Sequence, residues 1–326
     1  MPKFWKRLAP LLLAVLLLTG CGKNSSTPAV EISGAETASS EEVELEEEAV
    51  ALAETPALST ELMPVASGTK VKSNEKAKID YSNIVDGYVM VRYTASTDKR
   101  LKTQVKGPTT TYTYNITAGE SWTTFPLSDG NGNYQVTVYE NVSGTRYASV
   151  LSQTFTVTLK DEFAPFLRPN QYVNYENAPN TVAKAAELVA KKEEPLDKVT
   201  AVYDFVVNNI TYDTKLAATV QSGYLPVLDT VLEKKTGICF DYAALMAGML
   251  RSQGVPCKLV VGYAGSAYHA WISVWSEETG WVEGVVYFDG TTWQRMDPTF
   301  ASSGKESPSV MKYIGDGANY TVKYLY

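Results

Sequence analysis

The sequence holds two kinds of side chain whose chemistry is scarce enough to be informative, three cysteines and one histidine among 326 residues. Cys239 follows Gly237 and precedes apolar residues at helical spacing, so it is predicted to begin a helix. The partial positive charge at a helix N-terminus favours the thiolate, which is the nucleophilic form of cysteine. Cys239 is therefore a candidate nucleophile, with a buried and inert thiol as the commoner alternative.

His269 strengthens the nucleophile interpretation, because it is the only imidazole in the sequence that could serve Cys239 as a base. It begins a segment of alternating residues that predicts a strand. Asp297 follows at the end of a further predicted strand. A nucleophile, a base and an orienting carboxylate thus occur in order, each at the end of a regular element. The pattern favours thiolate–imidazolium chemistry at Cys239.

The same counts exclude several other kinds of site. A single histidine rules out a histidine-rich metal site, a haem with two histidine ligands and a mechanism that needs two imidazoles. Three cysteines cannot make a dense disulfide framework. We expect neither a metal nor another cofactor, since one histidine and the cysteines beyond the N-terminal segment do not make a convincing metal site.

The net charge of −7 belongs almost entirely to one segment. Residues 22–60 hold one basic and nine acidic residues, whereas residues 61–326 hold 25 basic and 27 acidic residues. The larger part is nearly neutral and shows no basic stripe, so no nucleic-acid partner is expected. The acidic segment is also rich in Ser, Thr, Ala and Pro, and residues 22–65 are predicted to form a disordered tether.

Residues 1–21 have the pattern of a targeting signal. Basic residues precede an apolar run from Leu8 to Leu18, which is about half of the roughly 20 residues that a membrane-spanning helix needs. The tetrapeptide Leu18-Thr19-Gly20-Cys21 resembles the lipobox of bacterial lipoproteins. That resemblance implies lipidation of Cys21 and anchoring to the bacterial cell membrane, facing outward. An ordinary secretory signal is the alternative, and it also predicts an extracytoplasmic protein.

Residues 66–162 alternate between apolar and polar side chains in several short runs separated by turn residues. This period of two predicts an all-β sandwich. By pattern alone it resembles the immunoglobulin-like and fibronectin type III modules of surface proteins. A spacer or a binding module is the expected role. Carbohydrate binding by Tyr112, Tyr114 and Trp122 stays open, although core aromatics are commoner.

Residues 163–326 show a different period. Apolar residues at helical spacing predict two amphipathic helices, one around Val182–Val189 and one around Val199–Val207. The helix of Cys239 and the strand of His269 follow. Alternation of Tyr320, Val322 and Tyr324 predicts one more strand. The chain is therefore expected to be multidomain, with an α+β domain after the β-sandwich.

Four motifs in order resemble the transglutaminase-like superfamily of papain-like cysteine enzymes, over roughly residues 180–305. They are Gly237-Ile238-Cys239-x-Asp241-Tyr242-Ala243, Gly254-Val255-Pro256, His269-Ala270-Trp271 and Asp297-Pro298-Thr299. The resemblance implies a papain-like α+β fold in which the Cys239 helix packs against an antiparallel sheet. It also implies that Cys239 is the nucleophile, that His269 acts as base and then acid, and that Asp297 orients the imidazole.

The family resemblance implies a supporting role for aromatic residues near the nucleophile. Members often place an aromatic side chain near the oxyanion from the region upstream of the cysteine. Tyr203 and Tyr212 occupy that region here, and Trp271 belongs to the histidine motif. We therefore regard Tyr203, Tyr212 and Trp271 as candidates for oxyanion or site support.

The predicted activity is acyl transfer from an amide of a peptide, a protein or a cell-wall peptide through a thioester on Cys239. Water as the acceptor gives a protease or amidase, and we favour hydrolysis because water is abundant outside the cell. A lysine amine as the acceptor gives a cross-linking transglutaminase. The third hypothesis is a non-catalytic surface module for adhesion or cell-wall binding.

Cys257 departs from the family pattern, because relatives commonly have a small or apolar residue after the Gly254-Val255-Pro256 motif. A disulfide between Cys239 and Cys257 would abolish nucleophilicity. We expect instead that Cys257 is a small buried side chain at the start of the next strand, since helix and strand starts rarely meet the distance limits of a disulfide.

Overall fold

The computed structural model describes residues 59–277, 280–282, 286–288, 293–295 and 319–326. The predicted signal with Cys21, most of the predicted tether and Asp297 lie outside the described residues. No helix within the described ranges is both long and apolar enough to span a bilayer.

The first described region consists of two four-stranded antiparallel sheets, in the orders β1-β2-β3-β6 and β5-β4-β7-β8. The strands are β1 (Val71–Ser73), β2 (Ala77–Asp80), β3 (Tyr88–Tyr93), β4 (Leu101–Lys106), β5 (Thr111–Ile116), β6 (Thr123–Pro126), β7 (Gly132–Ser143) and β8 (Arg146–Val157). Alternation along β5 is strict, with Tyr112, Tyr114 and Ile116 buried and the residues between them exposed. The period of two thus placed the strands here, while the immunoglobulin-like assignment stays a prediction.

The aromatic residues of this region are mostly core residues. Tyr112 and Tyr114 are buried, and Tyr114 packs on Phe125 of the other sheet with ring centroids 4.6 Å apart. Trp122 is half-buried beneath the guanidinium of Arg92, which lies 4.8 Å from the ring centroid. Burial removes Tyr112 and Tyr114 from any carbohydrate-binding surface.

The second region begins with helices. They are α1 (Pro179–Val189), α2 (Pro195–Asn209), α3 (Thr214–Thr219), α4 (Leu228–Lys234) and α5 (Cys239–Ser252). Two short strands, β9 (Thr211–Tyr212) and β10 (Thr236–Gly237), pair in parallel just before α5. Each of α1 and α2 has Pro at its first position, where the missing N–H costs nothing.

An antiparallel sheet completes the second region, in the order β13-β12-β11-β16. Its strands are β11 (Cys257–Ala264), β12 (Ala267–Ser276), β13 (Gly280–Val282) and β16 (Tyr320–Leu325), and β14 (Val286–Phe288) pairs separately with β15 (Trp293–Arg295). Helix α5 packs against β11 and β12. A mixed α+β fold with the cysteine helix on an antiparallel sheet is what the sequence predicted, including the final strand.

Helix α5 is the centre of the second region, and every residue from Asp241 to Arg251 is buried. Small side chains make this possible because neighbouring helices can approach closely. At Gly248 an added Cβ would lie 2.5 Å from Cδ1 of Leu228 in α4. The helix is thus fixed on all sides, which fixes the position of its first residue, Cys239.

Two arginines join the second region to the first. Arg251 is fully buried and donates to the carbonyls of Cys257 at 2.8 Å and Arg168 at 2.9 Å, and also to the carbonyl of Tyr326. Burial lowers the pKa of Arg251 to about 10, which leaves it charged at neutral pH. Arg168 in turn donates to the carbonyls of Asp86 and Glu61 in the first region.

An aromatic cluster fills the remaining space between the two regions. Tyr326 lies 5.6 Å from Tyr112, 5.8 Å from Tyr114 and 4.7 Å from Tyr172, measured between ring centroids. Burial raises the pKa of Tyr112 and of Tyr172 to about 12, so both phenols stay neutral. Residues 53–326 accordingly cluster as one unit, with a shared core.

Candidate active site

Cys239 is the first residue of α5 and is partly exposed. The carboxyl of Asp241, in the first turn, accepts a hydrogen bond of 2.8 Å from the N–H of Ile238. This capping contact needs Gly237, since an added Cβ there would lie 2.6 Å from Cβ of Asp241. The Gly-x-Cys-x-Asp spacing therefore has a structural cause: it caps the helix that presents the thiol.

Asp241 is fully buried and has a second partner, the hydroxyl of Tyr224, which donates to it at 2.7 Å. Burial is the largest effect on this carboxyl and raises its pKa, while the Ile238 N–H and the Tyr224 hydroxyl act in the opposite direction. Burial and the adjacent Asp241 also raise the pKa of Tyr224, so its phenol keeps the proton that it donates. The pair ties the segment before α4 to the start of α5.

His269 lies in β12, opposite Gly262 of β11, and is buried. Its ring stacks on Trp271, with centroids 6.1 Å apart and an interplanar angle of 22°. Gly262 permits close packing here, because an added Cβ would lie 2.0 Å from the carbonyl oxygen of Thr321 and 2.9 Å from the Trp271 ring. Trp271 also packs on Tyr320. The imidazole is thus held in place by the ring of Trp271, which packs in turn on Tyr320.

A cavity of about 540 Å³ brings the two main predicted residues together, since Cys239 and His269 both line it. Tyr212 lines it as well, because the pairing of β9 with β10 places Tyr212 beside Gly237. Tyr203 is buried in α2 and, among the described residues, does not belong to the lining. Trp271 is not among the described lining residues either, and its ring stacks on that of His269, which does line the cavity.

Asp297 lies outside the described residues, as does the rest of its Asp-Pro-Thr motif. Strand β15 (Trp293–Arg295) precedes it and is described. Its role as the partner of His269 therefore stays a prediction.

Cys257 is the first residue of β11, fully buried and not in a disulfide. Burial raises the pKa of its thiol to about 12, although the nearby Arg251 acts in the opposite direction. The expectation of a small buried side chain is confirmed. Among the described residues, Cys239 and Cys257 are thus in opposite environments, since Cys239 lines a cavity and Cys257 is fully buried.

Several residues of the cavity were missed by the sequence analysis. Tyr224 has no motif around it, and its contact with Asp241 spans 17 residues. The first region contributes a whole wall, through Lys102, Thr113 and Asn115. Only the outward alternation of Thr113 and Asn115 in β5 hinted at surface positions, and nothing in the sequence indicated what they would face.

Within the described ranges, no group of three or more His, Cys, Asp and Glu side chains is placed to hold a metal ion. The described lining includes Lys102, the Cys239 thiol and the His269 imidazole, and a thiol with an imidazole can carry out acyl transfer by a nucleophile.

Comparison with known proteins agrees with this geometry. Residues 182–298 match the model of the transglutaminase-like superfamily. A protein-glutamine gamma-glutamyltransferase of Pseudomonas aeruginosa is 31% identical over 119 residues, which is 32% of this chain and 17% of that protein. The uncharacterized protein YebA of Bacillus subtilis is 29% identical over 117 residues, 30% of this chain and 16% of that protein.

Solved structures are similar at a lower level. A candidate cysteine protease from Cytophaga hutchinsonii has a TM-score of 0.37 at 15% identity, over 79% of this chain and 73% of that one. Red sea bream transglutaminase has a TM-score of 0.29 at 13% identity, over 70% of this chain and 53% of that one. Both TM-scores are low, so the similarity to the transglutaminase-like superfamily rests on the sequence match of residues 182–298. This chain spans about a sixth of the length of each of the two relatives above.

Proposed function

We propose that the protein is a cysteine-dependent acyl-transfer enzyme that hydrolyses amide bonds of peptides, proteins or cell-wall peptides. One observation carries the proposal: Cys239, at the N-terminus of a buried helix, and His269 line the same cavity. A helix N-terminus and an imidazolium both favour the thiolate. The transglutaminase-like family supports the same chemistry.

The reaction proceeds in two steps. The Cys239 thiolate attacks the amide carbonyl carbon, and backbone N–H groups at the start of α5 stabilise the oxyanion. The C–N bond breaks, the amine leaves with a proton from His269, and a thioester remains on Cys239. Neutral His269 then takes a proton from water as the water attacks the thioester, which releases the acid and regenerates the thiolate. Asp297 is proposed to orient the imidazole throughout.

The cellular setting of this proposal rests on the sequence. The lipobox-like Leu18-Thr19-Gly20-Cys21 supports lipidation of Cys21 and a position on the outer face of the bacterial membrane. Hydrolysis fits that setting because water reaches the partly exposed Cys239. A covalent lipid on Cys21 would appear in the intact mass of the membrane-extracted protein, and an unmodified Cys21 would overturn this part.

Cross-linking is the second candidate activity. It is favoured by the similarity to the Pseudomonas aeruginosa relative, which is a protein-glutamine gamma-glutamyltransferase. In that reaction an amine, not water, attacks the thioester. Gln-containing peptides incubated with and without a primary amine separate the two, because transfer gives a peptide–amine adduct and hydrolysis gives Glu and ammonia.

The first experiment tests the nucleophile directly by alkylation with iodoacetamide, and Cys257 serves as the internal control. An ordinary thiol with a pKa of about 8.5 is only about 3% thiolate at pH 7. We expect Cys239 to be labelled at least about tenfold faster than such a thiol and Cys257 to resist labelling until unfolding. The Cys239 rate should collapse in His269→Ala, as peptide mapping by mass spectrometry would show.

Equal slow labelling of both cysteines, unchanged by His269→Ala, would contradict the enzymatic proposal. It would favour the non-catalytic binding module instead. A reactive Cys239 without turnover of Gln peptides, other peptides or cell-wall peptides would limit the proposal to the thiolate pair.

A further inference from the structure

The wall that the β-sandwich contributes to the cavity is chemically distinctive. Lys102 of β4 lies directly opposite Asn115 of β5, and both line the cavity with Thr113. The second region holds Asn115 in place, because the backbone carbonyl of Asn115 accepts a hydrogen bond of 2.7 Å from the side-chain amide of Gln171. Gly223 also lies against it, since an added Cβ would come within 2.6 Å of Nδ2 of Asn115. The sandwich is thus a fixed part of the site.

Among the described residues of this wall, the charged side chain is that of Lys102, which is basic. No acidic side chain occurs among the described residues that line the cavity. Lys102 is partly exposed, lines the cavity and forms no ion pair with the described residues, and its Nζ lies 5.4 Å from the ring centroid of Tyr147 in β8, on the side of β4 away from β5. A carboxylate that enters the cavity would therefore meet Lys102 without a competing acidic side chain among the described lining residues.

The same wall continues outward as a polar sheet face. Lys102, Gln104 and Lys106 point outward from β4, next to Asn115, Thr113 and Thr111 of β5. On the other side β7 adds Gln135 and Thr137 in register. These eight side chains, which we call the polar face, include two lysines and no carboxylate. Three of these side chains, Lys102, Thr113 and Asn115, also line the cavity that holds Cys239.

We propose that the substrate of the Cys239 site is a carboxylate-bearing peptide, and that Lys102 selects it by contact with an acidic group beside the reacting amide. The more distant part of the peptide lies along the polar face toward Lys106. The inference rests on the proposed function, because it names the substrate class of that same site. It assigns the β-sandwich a role in substrate recognition, beyond that of a spacer.

The test uses short extended peptides that carry an iodoacetamide group and differ only in flanking residues, which are Glu, Gln or Lys. The thiolate displaces iodide and forms a thioether, so intact-mass labelling of the full chain gives a rate for each peptide. We expect the order Glu, Gln, Lys, with each step roughly two- to fivefold, as for one exposed ion pair. Added salt should narrow the gaps.

Charge reversal locates the preference. Lys102→Glu should invert the order, Lys102→Gln should flatten it, and Lys106→Glu should weaken it by less. Lys72→Glu makes the same change in net charge on an exposed strand of the other sheet and should leave the order intact. An unchanged Glu preference in both Lys102 variants, or no charge order in the unmodified chain, would overturn the inference.

Plain iodoacetamide keeps the two proposals apart. Fast, His269-dependent labelling of Cys239 by iodoacetamide without any charge order among the peptides would refute the role of Lys102 and leave the enzymatic proposal standing. Slow labelling that His269→Ala does not change would refute the enzymatic proposal, and the peptide comparison would fall with it.

Discussion

The two ends of α5 lie next to two different thiol environments, that of Cys239 at its start and that of Cys257 beyond its end. At its start, Cys239 is partly exposed, Asp241 caps the backbone, and a cavity opens to solvent. Past its end, Cys257 is fully buried beside Arg251, whose guanidinium is enclosed by backbone carbonyls. The start of α5 is therefore open to small molecules, whereas its end is fixed by the hydrogen bonds of Arg251 to backbone carbonyls. Burial decides the difference, because it raises the pKa of Cys257 to about 12.

The largest expected effect comes from removing the exposed thiol. Cys239→Ala should lower turnover by roughly 10³-fold or more, as expected when a nucleophile is lost, with little change in stability. Cys257→Ala is the matched control and should keep its activity while losing some stability to the small cavity left behind. Turnover and urea unfolding of both variants measure the contrast. Similar activity losses in the two would show that the ends of the helix do not differ in this way.

The next effect concerns the anchored end. Arg251→Ala removes the donor for three buried carbonyls, those of Cys257, Arg168 and Tyr326. We expect a loss of about 3–5 kcal/mol of folding free energy, since buried acceptors left without partners carry the full desolvation penalty. Urea unfolding measures it. The exposed Arg146→Ala variant should change stability by no more than about 0.5 kcal/mol, and a similarly small loss for Arg251→Ala would contradict the anchor.

A smaller effect is expected at the capped end. Tyr224→Phe removes the hydroxyl that donates to the buried Asp241. The loss should be about 1–2 kcal/mol of stability, together with a reduced rate of Cys239 alkylation as the helix start loosens. Tyr81→Phe on the sandwich is the control, because its ring packs on Phe155 of the sandwich and its hydroxyl makes no hydrogen bond with the described residues. Unaltered alkylation in a destabilised Tyr224→Phe would limit the residue to a structural role.

The smallest effect is a pH dependence. Burial raises the pKa of Asp241 in the folded chain, so the folded state holds its proton more tightly than the unfolded state. Stability should therefore fall as the pH rises through the window between the usual aspartate pKa and the raised one. Asp241→Asn cannot ionise and should lack that fall, which urea unfolding across this pH range would show. Asp197→Asn, in the exposed first turn of α2, should retain the wild-type profile; a rise in place of the fall would refute the assignment.

Local sequence patterns predicted the helix that begins at Cys239 and the strand that contains His269. Apolar spacing after Cys239 gave the helix, and alternation around His269 gave the strand, because both periods are short compared with the elements themselves. The fold class of the second region followed from the motifs. The core that the second region shares with the β-sandwich could not be predicted from these motifs.

The missed contacts are long-range. Arg251 bonds to Arg168 and Tyr326, which lie 83 and 75 residues away in sequence. No periodicity encodes such pairs, and a charged side chain in an apolar helical stripe is ordinarily expected at the surface. The same reason hid the cavity wall formed by Lys102 and Asn115, since a strand pattern tells which side is outward but not what stands opposite.

The tyrosine cluster between the two regions gives the molecule a built-in optical reporter. Burial holds the pKa of Tyr112 and of Tyr172 at about 12 and raises that of Tyr326 as well. These phenols therefore remain un-ionised at alkaline pH as long as the β-sandwich and the second region stay together. Phenolate absorbance during an alkaline titration would register any separation of the two, without a label and without disturbing the cleft they share.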